Sequence, residues 1–200
     1  IESPDFEDNV IQQVRNLKRK EKIDAIVKTL DVCRKFMRNL SESSELKSRV
    51  ESGENTNTEF KQTFSLDIKS RKKEKYIVDS CIKTIAAFLN SEGGELLIGV
   101  GDNGEFFGIK EEVELFYKNN DKFLLHFKDK VRSAIGENFF TLIKYEILNM
   151  EGNEILRVIC DKSDNPVFVD KTFYVRVNPS TEKIEGKDLL NYVQAHFPIK

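Results

Sequence analysis

The sequence of 200 residues has no tryptophan, two histidines and three cysteines. Histidines and cysteines stand far apart, without the close spacing typical of zinc sites or of His-based nucleophile systems. An odd number of separated cysteines also argues against a disulfide framework. We therefore expect Cys33, Cys81 and Cys160, each among apolar neighbours, to be buried free thiols of a cytoplasmic protein.

Long apolar runs are also missing. No stretch approaches the ~18 residues that a membrane span requires, and no signal-peptide pattern opens the chain, so we expect no membrane association. The net charge of −2 gives no global indication of nucleic-acid binding. With 39% apolar and 33% charged residues, the sequence predicts one ordinary domain with a core, plus an accessory segment.

Residues 1–45 are predicted to form an N-terminal helical accessory segment, because residues 7–40 contain neither Gly nor Pro. A short heptad-like stripe recurs three and four positions apart: Ile23, Ile26, Leu30, Cys33, Met37 and Leu40. A second stripe lies out of register with it: Val10, Ile11, Val14 and Leu17. Such helices would pack on the main domain or on a second copy of the chain. The polar residues after 40 predict an irregular approach, with a linker over 46–58 that carries Glu54.

The remaining sequence predicts an α+β domain. Its expected strands are 58–64, 95–100, a return strand 105–109, 140–148, 154–161, 167–169 and 172–177. Its expected helices are 76–90, ending at Gly93-Gly94, then 121–135 with Asp121 as N-cap, and 186–196.

The stretch GVGDNG, residues 99–104, matches the G-x-G-x-x-G pattern of a dinucleotide-binding loop letter for letter. Such a loop joins a strand to the N-terminus of a helix, where backbone amides meet the pyrophosphate. Here the glycines lead into the aromatic stretch EFFGI, and the predicted helix precedes the strand. We therefore interpret Asp102-Asn103-Gly104 as the turn of a β-hairpin.

Five short motifs follow one another in the main domain: Glu59-Phe60-Lys61, Ala87 to Gly94, Ile98 to Asp102, Tyr174-Val175-Arg176 and Ser180-Thr181. In this order, residues 51–198 resemble the Schlafen-AlbA family of domains. The resemblance implies an α+β fold with a mixed or antiparallel sheet and packed helices, preceded here by the N-terminal helical segment.

The resemblance also implies a catalytic site. Some Schlafen proteins are metal-dependent endoribonucleases acting on tRNA and other structured RNA, with two glutamates five residues apart and a third acid after the Ile-Gly-Val strand. On this chain these acids are Glu54, Glu59 and Asp102, which would bind Mg²⁺ or Mn²⁺ through oxygen ligands. Lys61 shares a strand face with Glu59 and would contact a phosphate as a fourth catalytic residue.

A cluster of basic residues would hold the backbone of bound RNA. Its members are Lys69, Arg71, Lys72, Lys73 and Lys75, joined by Arg176 from the late Tyr-Val-Arg strand. Each candidate also has a structural interpretation. The basic run can be a solvated surface, and Glu54 can be a solvated side chain. Asp102 can be an ordinary turn residue, and Glu59 and Lys61 can form a surface ion pair.

The sequence thus favours a metal-dependent endoribonuclease, a defence (antiviral) or stress effector that acts on tRNA-like RNA, with DNA as the alternative substrate. The second hypothesis is a non-catalytic nucleic-acid-binding or regulatory module of a larger protein, and a third is an oligomerisation scaffold. The chain departs from the family pattern in two ways: Gly101 replaces the first of two acids, and one lobe is present without a zinc-finger cluster. A homodimer built through the N-terminal helices would supply the second lobe.

Overall fold

The computed structural model of the chain describes residue 11 and residues 19–197. The chain divides into two compact units, residues 1–48 and residues 49–200. Helix α1, Arg19–Glu51, confirms the predicted N-terminal helix but does not end near residue 40. It continues through the polar stretch because no Gly or Pro interrupts it before Gly53. Val10, Val14, Leu17 and the side chain of Leu40 lie outside the described residues.

The heptad-like stripe of α1 is exposed. Its members Ile23, Ile26, Leu30 and Met37 are between 50% and 65% exposed, and so are the neighbouring Val27, Val32 and Phe36. Cys33 is exposed on the same helix, so its predicted burial is wrong, whereas Cys81 and Cys160 are buried. Burial raises the pKa of the Cys81 thiol to about 12. No described helix is long and apolar enough to cross a membrane.

The second unit alternates short strands with helices. Its strands are β1 Thr58–Lys61, β2 Leu66–Asp67, β3 Lys72–Lys73, β4 Gly94–Ile98, β5 Ile143–Met150, β6 Asn153–Cys160, β7 Phe168–Val169, β8 Thr172–Val177 and β9 Ser180–Ile184. Its helices after α1 are α2 Lys75–Asn90, α3 Lys110–Phe116, α4 Asn120–Ile135, α5 Glu137–Phe140 and α6 Gly186–His196. The predicted α+β class is confirmed.

These strands form three sheets. The largest has the order β1-β4-β6-β5, with β1 parallel to β4 and the other pairs antiparallel. Strands β2 and β3 form a hairpin, and β7-β8-β9 form an antiparallel sheet. The edge position of β1 matters for function, because one side of its backbone is left for contacts outside the sheet.

The main core joins α2 and α4 to one face of the four-stranded sheet. Helix α2 is apolar over most of its surface, as expected of a helix covered on several sides. It ends where the N–H of Gly93 donates to the carbonyl of Phe88 at 3.0 Å. Gly93 has a φ of +78°, and a Cβ there would lie 2.7 Å from the Cys160 carbonyl oxygen. The Gly93-Gly94 end predicted for this helix is therefore confirmed.

Two local predictions differ from the structure. The chain after the turn at 102–104 forms a single antiparallel bridge, Val100 with Phe106, and no return strand. Helix α4 is capped by Asn119, whose side chain accepts from the N–H of Lys122 at 2.9 Å, and not by Asp121. Asn119 precedes Asp121 by two residues, and either type can cap a helix, so composition alone does not choose between them.

Asn90, the last residue of α2, fastens the helix to the β7–β8 region. Its fully buried side-chain amide donates to the carbonyls of Val167 at 2.8 Å and Tyr174 at 2.9 Å. Its side-chain oxygen accepts from the N–H of Val167 at 2.8 Å. One amide thus satisfies three backbone groups, of which the two of Val167 are fully buried.

We predict that Asn90→Ala lowers the free energy of unfolding by about 3 kcal/mol, because it leaves these buried backbone groups without partners. Urea denaturation of the two proteins measures the difference. Asn149→Ala is the matched control, since Asn149 is exposed and accepts one bond from the N–H of Gly152. We expect less than about 1 kcal/mol for the control. Equal losses would contradict the anchoring role of Asn90.

Candidate functional site

The candidate site is built on edge strand β1. Glu59 and Lys61 pair in register with Leu96 and Ile98 of β4, so the two charged side chains lie on the face that carries the main core. The Lys61 ammonium contacts the Glu59 carboxylate and also donates to the carbonyl of Phe60 at 3.0 Å. The Glu59 side chain is only 12% exposed and the Lys61 side chain 25%, so this ion pair is partly withdrawn from water.

Arg176 of β8 completes the surroundings of Glu59. Its guanidinium is fully buried, and Nη1 donates to Glu59 Oε2 at 2.8 Å and to Thr181 Oγ1 at 2.9 Å. Nε donates to the carbonyl of Thr56 at 3.2 Å, and Nη2 to that of Asn55 at 2.9 Å. The guanidinium therefore binds one carboxylate and three neutral oxygen acceptors at the same time. A lysine cannot reproduce this planar set of donors.

Glu54 lies next to the same strand. Its Oε1 accepts the N–H of Phe60 at 2.7 Å, which satisfies a backbone donor on the free side of β1. Between Glu54 and Phe60 the chain turns back, and Asn55 forms an isolated β-bridge with Thr58. Both glutamates therefore lie at β1. Glu59 is part of the strand, and Glu54 is held to it by the hydrogen bond with the backbone of Phe60.

Asp102 lies in the loop that follows β4. The base of this loop is fastened to β1, since the N–H groups of Gly99 and Val100 donate to the Lys61 carbonyl at 2.8 and 3.3 Å. At the tip, the N–H of Gly104 donates to the carbonyl of Gly101 at 2.8 Å, and Asp102 is exposed. The glycines of GVGDNG therefore form a turn, as expected, and not the start of a helix.

The three acids suit Mg²⁺ or Mn²⁺ by ligand type, since both cations prefer carboxylate oxygens. Their positions also fit in part, because all three belong to β1 or to segments hydrogen-bonded to it. Within the described residues, however, no three acidic, histidine or cysteine side chains are already grouped as a metal site. Both Glu59 oxygens are instead engaged by Lys61 and Arg176.

The sequence profile of the family described as Schlafen, AlbA_2 matches residues 54–185, which include all of these side chains. The chain belongs to the Schlafen AlbA_2 family. The resemblance inferred from the five motifs is thereby confirmed. The family is nucleic-acid related, so the chain is placed in that broad functional class. A search of curated proteins finds no match to this chain.

Among solved structures, the AlbA_2 chain is similar to the DIP2311 protein of Corynebacterium diphtheriae. The match has a TM-score of 0.52 at 14% sequence identity and covers 72% of this chain but only 28% of that protein. At this identity the likeness supports the fold alone. The chain spans less than a third of the length of the protein that it matches.

The predicted basic cluster lies on the β2–β3 hairpin and the first turn of α2. Asp67 shapes the hairpin turn by accepting the N–H groups of Lys69 and Ser70, each at 2.9 Å. Several cluster members already have partners: Arg71 pairs with Glu111, Lys75 pairs with Asp79, and the Lys73 ammonium lies 3.9 Å from the Tyr117 ring centroid. Arg176 is separate from the hairpin and is buried. RNA contact by these six residues stays a prediction.

A buried carboxylate under this hairpin was missed by the sequence reasoning. Glu112 of α3 is 1% exposed and accepts from the N–H groups of Phe64 at 2.9 Å and Ser65 at 2.7 Å. It also accepts the Ser65 hydroxyl at 2.6 Å, which in turn contacts the Tyr117 hydroxyl at 2.9 Å. Burial raises the pKa of Glu112, although these hydrogen bonds oppose the shift.

We predict that Arg176→Lys destabilises the AlbA_2 domain by about 3 kcal/mol, because it leaves buried acceptors and the Glu59 carboxylate poorly compensated. Urea denaturation measures this loss. The same change at Arg132, which forms an exposed pair with Glu137, is the control and should cost less than about 0.5 kcal/mol. An Arg176→Lys protein as stable as the control would contradict the assigned role.

Proposed function

We propose that this Schlafen AlbA_2 domain is a metal-dependent endoribonuclease acting on structured, tRNA-like RNA. The observation that carries the proposal is the state of Glu59. It is a charged side chain held largely away from water on an edge strand, at the position of a catalytic acid in the resembling nucleases. Such a buried ion pair is costly, and well-packed apolar residues in place of both Glu59 and Arg176 would serve stability at least as well.

The residues have distinct parts in this proposal. Glu54, Glu59 and Asp102 would hold Mg²⁺ or Mn²⁺ through carboxylate oxygens. When bound, the metal supplies charge stabilisation at a phosphate oxygen and lowers the pKa of a water or hydroxyl nucleophile. Lys61 would contact the scissile phosphate, since its ammonium lies beside Glu59 and is partly exposed. Arg176 acts as a positioning residue that fixes the carboxylate of Glu59.

RNA would be held by the β2–β3 hairpin. Lys69 and Lys72 are exposed there, and the hairpin turn is made rigid by the two hydrogen bonds to Asp67. Cations on a fixed hairpin bind phosphates through charge without reading the base sequence. Recognition by backbone charge and shape is the usual mode for structured RNA.

A second candidate function, a nucleic-acid-binding module without catalysis, is favoured by a different observation. Glu59 is already neutralised by two cations, and the described residues contain no preformed group of three metal ligands. In that case the acids would shape the edge of β1, and the basic hairpin alone would bind nucleic acid. The two candidates differ in the expected effect of changing Asp102.

We predict that the protein cleaves tRNA in Mn²⁺ or Mg²⁺ and that Asp102→Asn lowers the rate at least about 100-fold, because a metal ligand is lost. Asp102 is exposed in a turn, so this variant should fold normally. Glu105→Gln, which removes another exposed carboxylate from the same loop, should retain full activity. Gel electrophoresis of end-labelled tRNA, with and without chelator, measures cleavage.

Binding is measured in parallel by electrophoretic mobility shift. The pair Lys69→Glu and Lys72→Glu should weaken RNA binding at least about tenfold and reduce its salt dependence. The pair Lys183→Glu and Lys187→Glu changes the net charge equally, away from the hairpin, and serves as control. Binding without any cleavage by the wild-type protein would reject the nuclease and support the binding module. Cleavage that survives Asp102→Asn would reject the proposed metal ligands.

We further propose that α1 pairs with α1 of a second copy. Ile23, Ile26, Leu30 and Met37 are half-exposed on each helix, and together with exposed Cys33 they recur three and four positions apart, which is the pattern of a two-helix seam. Burying the exposed parts of these eight side chains contributes on the order of 10 kcal/mol, which is comparable to the cost of associating two chains. A parallel pair would place the two Cys33 residues opposite each other.

We expect mild oxidation to link two chains through Cys33, since Cys81 and Cys160 are buried. Non-reducing gel electrophoresis detects the link, and Cys33→Ser removes it. Leu30→Asp should shift the protein to monomer in light scattering, whereas Lys28→Asp, two positions away and on the opposite side of the helix, should not. A wild-type protein that is monomeric at high micromolar concentration would refute the pairing, and a dimer without a Cys33 link would refute its parallel orientation.

A further inference from the structure

A cavity of about 430 Å³ lies away from the acids of β1, between the β2–β3 hairpin, the start of α2 and helix α4. Its size falls within the range of small-molecule sites. The lining combines three ammonium groups, an imidazole, two hydroxyls, three carboxylates and three apolar side chains. The charged groups are Lys73, Lys75 and Lys130 together with Glu74, Asp79 and Asp170.

Positive charge is concentrated on one side of this cavity. Lys73 is held against the rings of Tyr117 and Phe116, with its ammonium 3.9 and 5.2 Å from the two centroids. Partial burial lowers the pKa of Lys73; the Glu112 carboxylate opposes this shift and Lys130 adds to it. The pKa of His126 is lowered by burial and by the same two lysines. A bound anion would relieve the mutual repulsion of these groups.

The other side of the cavity differs in charge. Lys75 is neutralised by Asp79, with Nζ–O distances of 2.8 and 2.6 Å. The remaining carboxylates, Glu74 and Asp170, can accept hydrogen bonds from hydroxyl groups of a ligand. The lining also includes Val78, Ile82 and Ala134, which give an apolar surface. The cavity therefore combines cations, an apolar surface and hydrogen-bond acceptors.

We propose that this cavity binds the phosphate ester of a single nucleotide. The phosphate would contact Lys73 and Lys130, the sugar hydroxyls would face Glu74 or Asp170, and the base would lie on Val78 and Ile82. Two sources share this chemistry, a free nucleoside monophosphate and the phosphorylated end of an RNA strand. The volume of about 430 Å³ is sufficient for one nucleotide, and the lining does not include Glu54, Glu59 or Asp102.

The two histidines of the chain provide a direct measurement. Adenosine 5′-monophosphate should shift the imidazole NMR signals of His126 in a saturable way. His196, whose ring stacks on Tyr192 at 3.8 Å between centroids, is the internal reference and should not move. Adenosine without phosphate should give no saturable shift, and inorganic phosphate should bind at least about tenfold more weakly than the nucleotide. The arm with 5′-phosphorylated and unphosphorylated short RNA then distinguishes a strand end from a free nucleotide.

Lys130→Gln should weaken nucleotide binding about tenfold, because it removes a charge-assisted contact. Lys130 is exposed, so this variant tests the site without disturbing the packing around Lys73. Lys128→Gln, on the same helix but outside the cavity, is the matched control. Asp102→Asn should bind the nucleotide unchanged, whether or not the protein cleaves RNA. Absence of a His126 shift at millimolar nucleotide, equal binding by Lys130→Gln, or equal binding of inorganic phosphate would overturn the proposal.

Discussion

Arg176 carries a permanent charge into a place where its side chain has no exposed surface, and that charge must be compensated locally. Glu59 supplies the opposite charge, while Thr181 and the carbonyls of Asn55 and Thr56 take the other donors. Because the guanidinium is planar and its donors point in fixed directions, these partners can satisfy it only when β1, β8 and the turn before β1 are all in place. Glu59 is therefore positioned by the same interaction that joins two of the sheets.

This dependence relates the two candidate functions to each other. In the structure Glu59 is a structural counterion, held by Arg176 and Lys61. A nuclease would need the same carboxylate to share its oxygens with a metal, and Lys61 is the cation better able to give way because its side chain is 25% exposed. A binding module would need no such exchange. The chemistry thus depends on how firmly one partly exposed ammonium stays beside one carboxylate.

Local patterns predict much of the fold. Helix α2 with its Gly93 end and the β5–β6 hairpin follow from apolar periodicity and turn residues, and the five motifs indicate the family. Contacts between residues far apart in the sequence cannot be predicted from local patterns. Arg176 and Glu59 are 117 positions apart, so no local pattern shows that the arginine is buried. The sequence contains a weak indication that Glu112 is buried, since it falls among Ile109, Val113 and Phe116 on the apolar face of a short helix. The missing return strand has a local cause that residue types alone do not show, because Phe107 and Gly108 both donate to the Gly99 carbonyl.

The carbonyl of Gly99 limits which residues of this loop can be changed. The N–H groups of Phe107 and Gly108 both reach Gly99 at 2.9 Å, so the loop that carries Asp102 is closed into a ring at its base. Gly99 has a φ of +100°, and a Cβ there would lie 3.0 Å from the Gly108 backbone, so the closure tolerates no side chain. The exposed tip residues Asp102, Asn103 and Glu105 carry no such constraint, whereas Val100 is buried and a Cβ at Gly101 would lie 2.6 Å from the Phe107 ring. The acidic side chain at the tip can therefore be changed by substitution at an exposed position, while the closure at the base of the loop and the sheet beneath it stay the same.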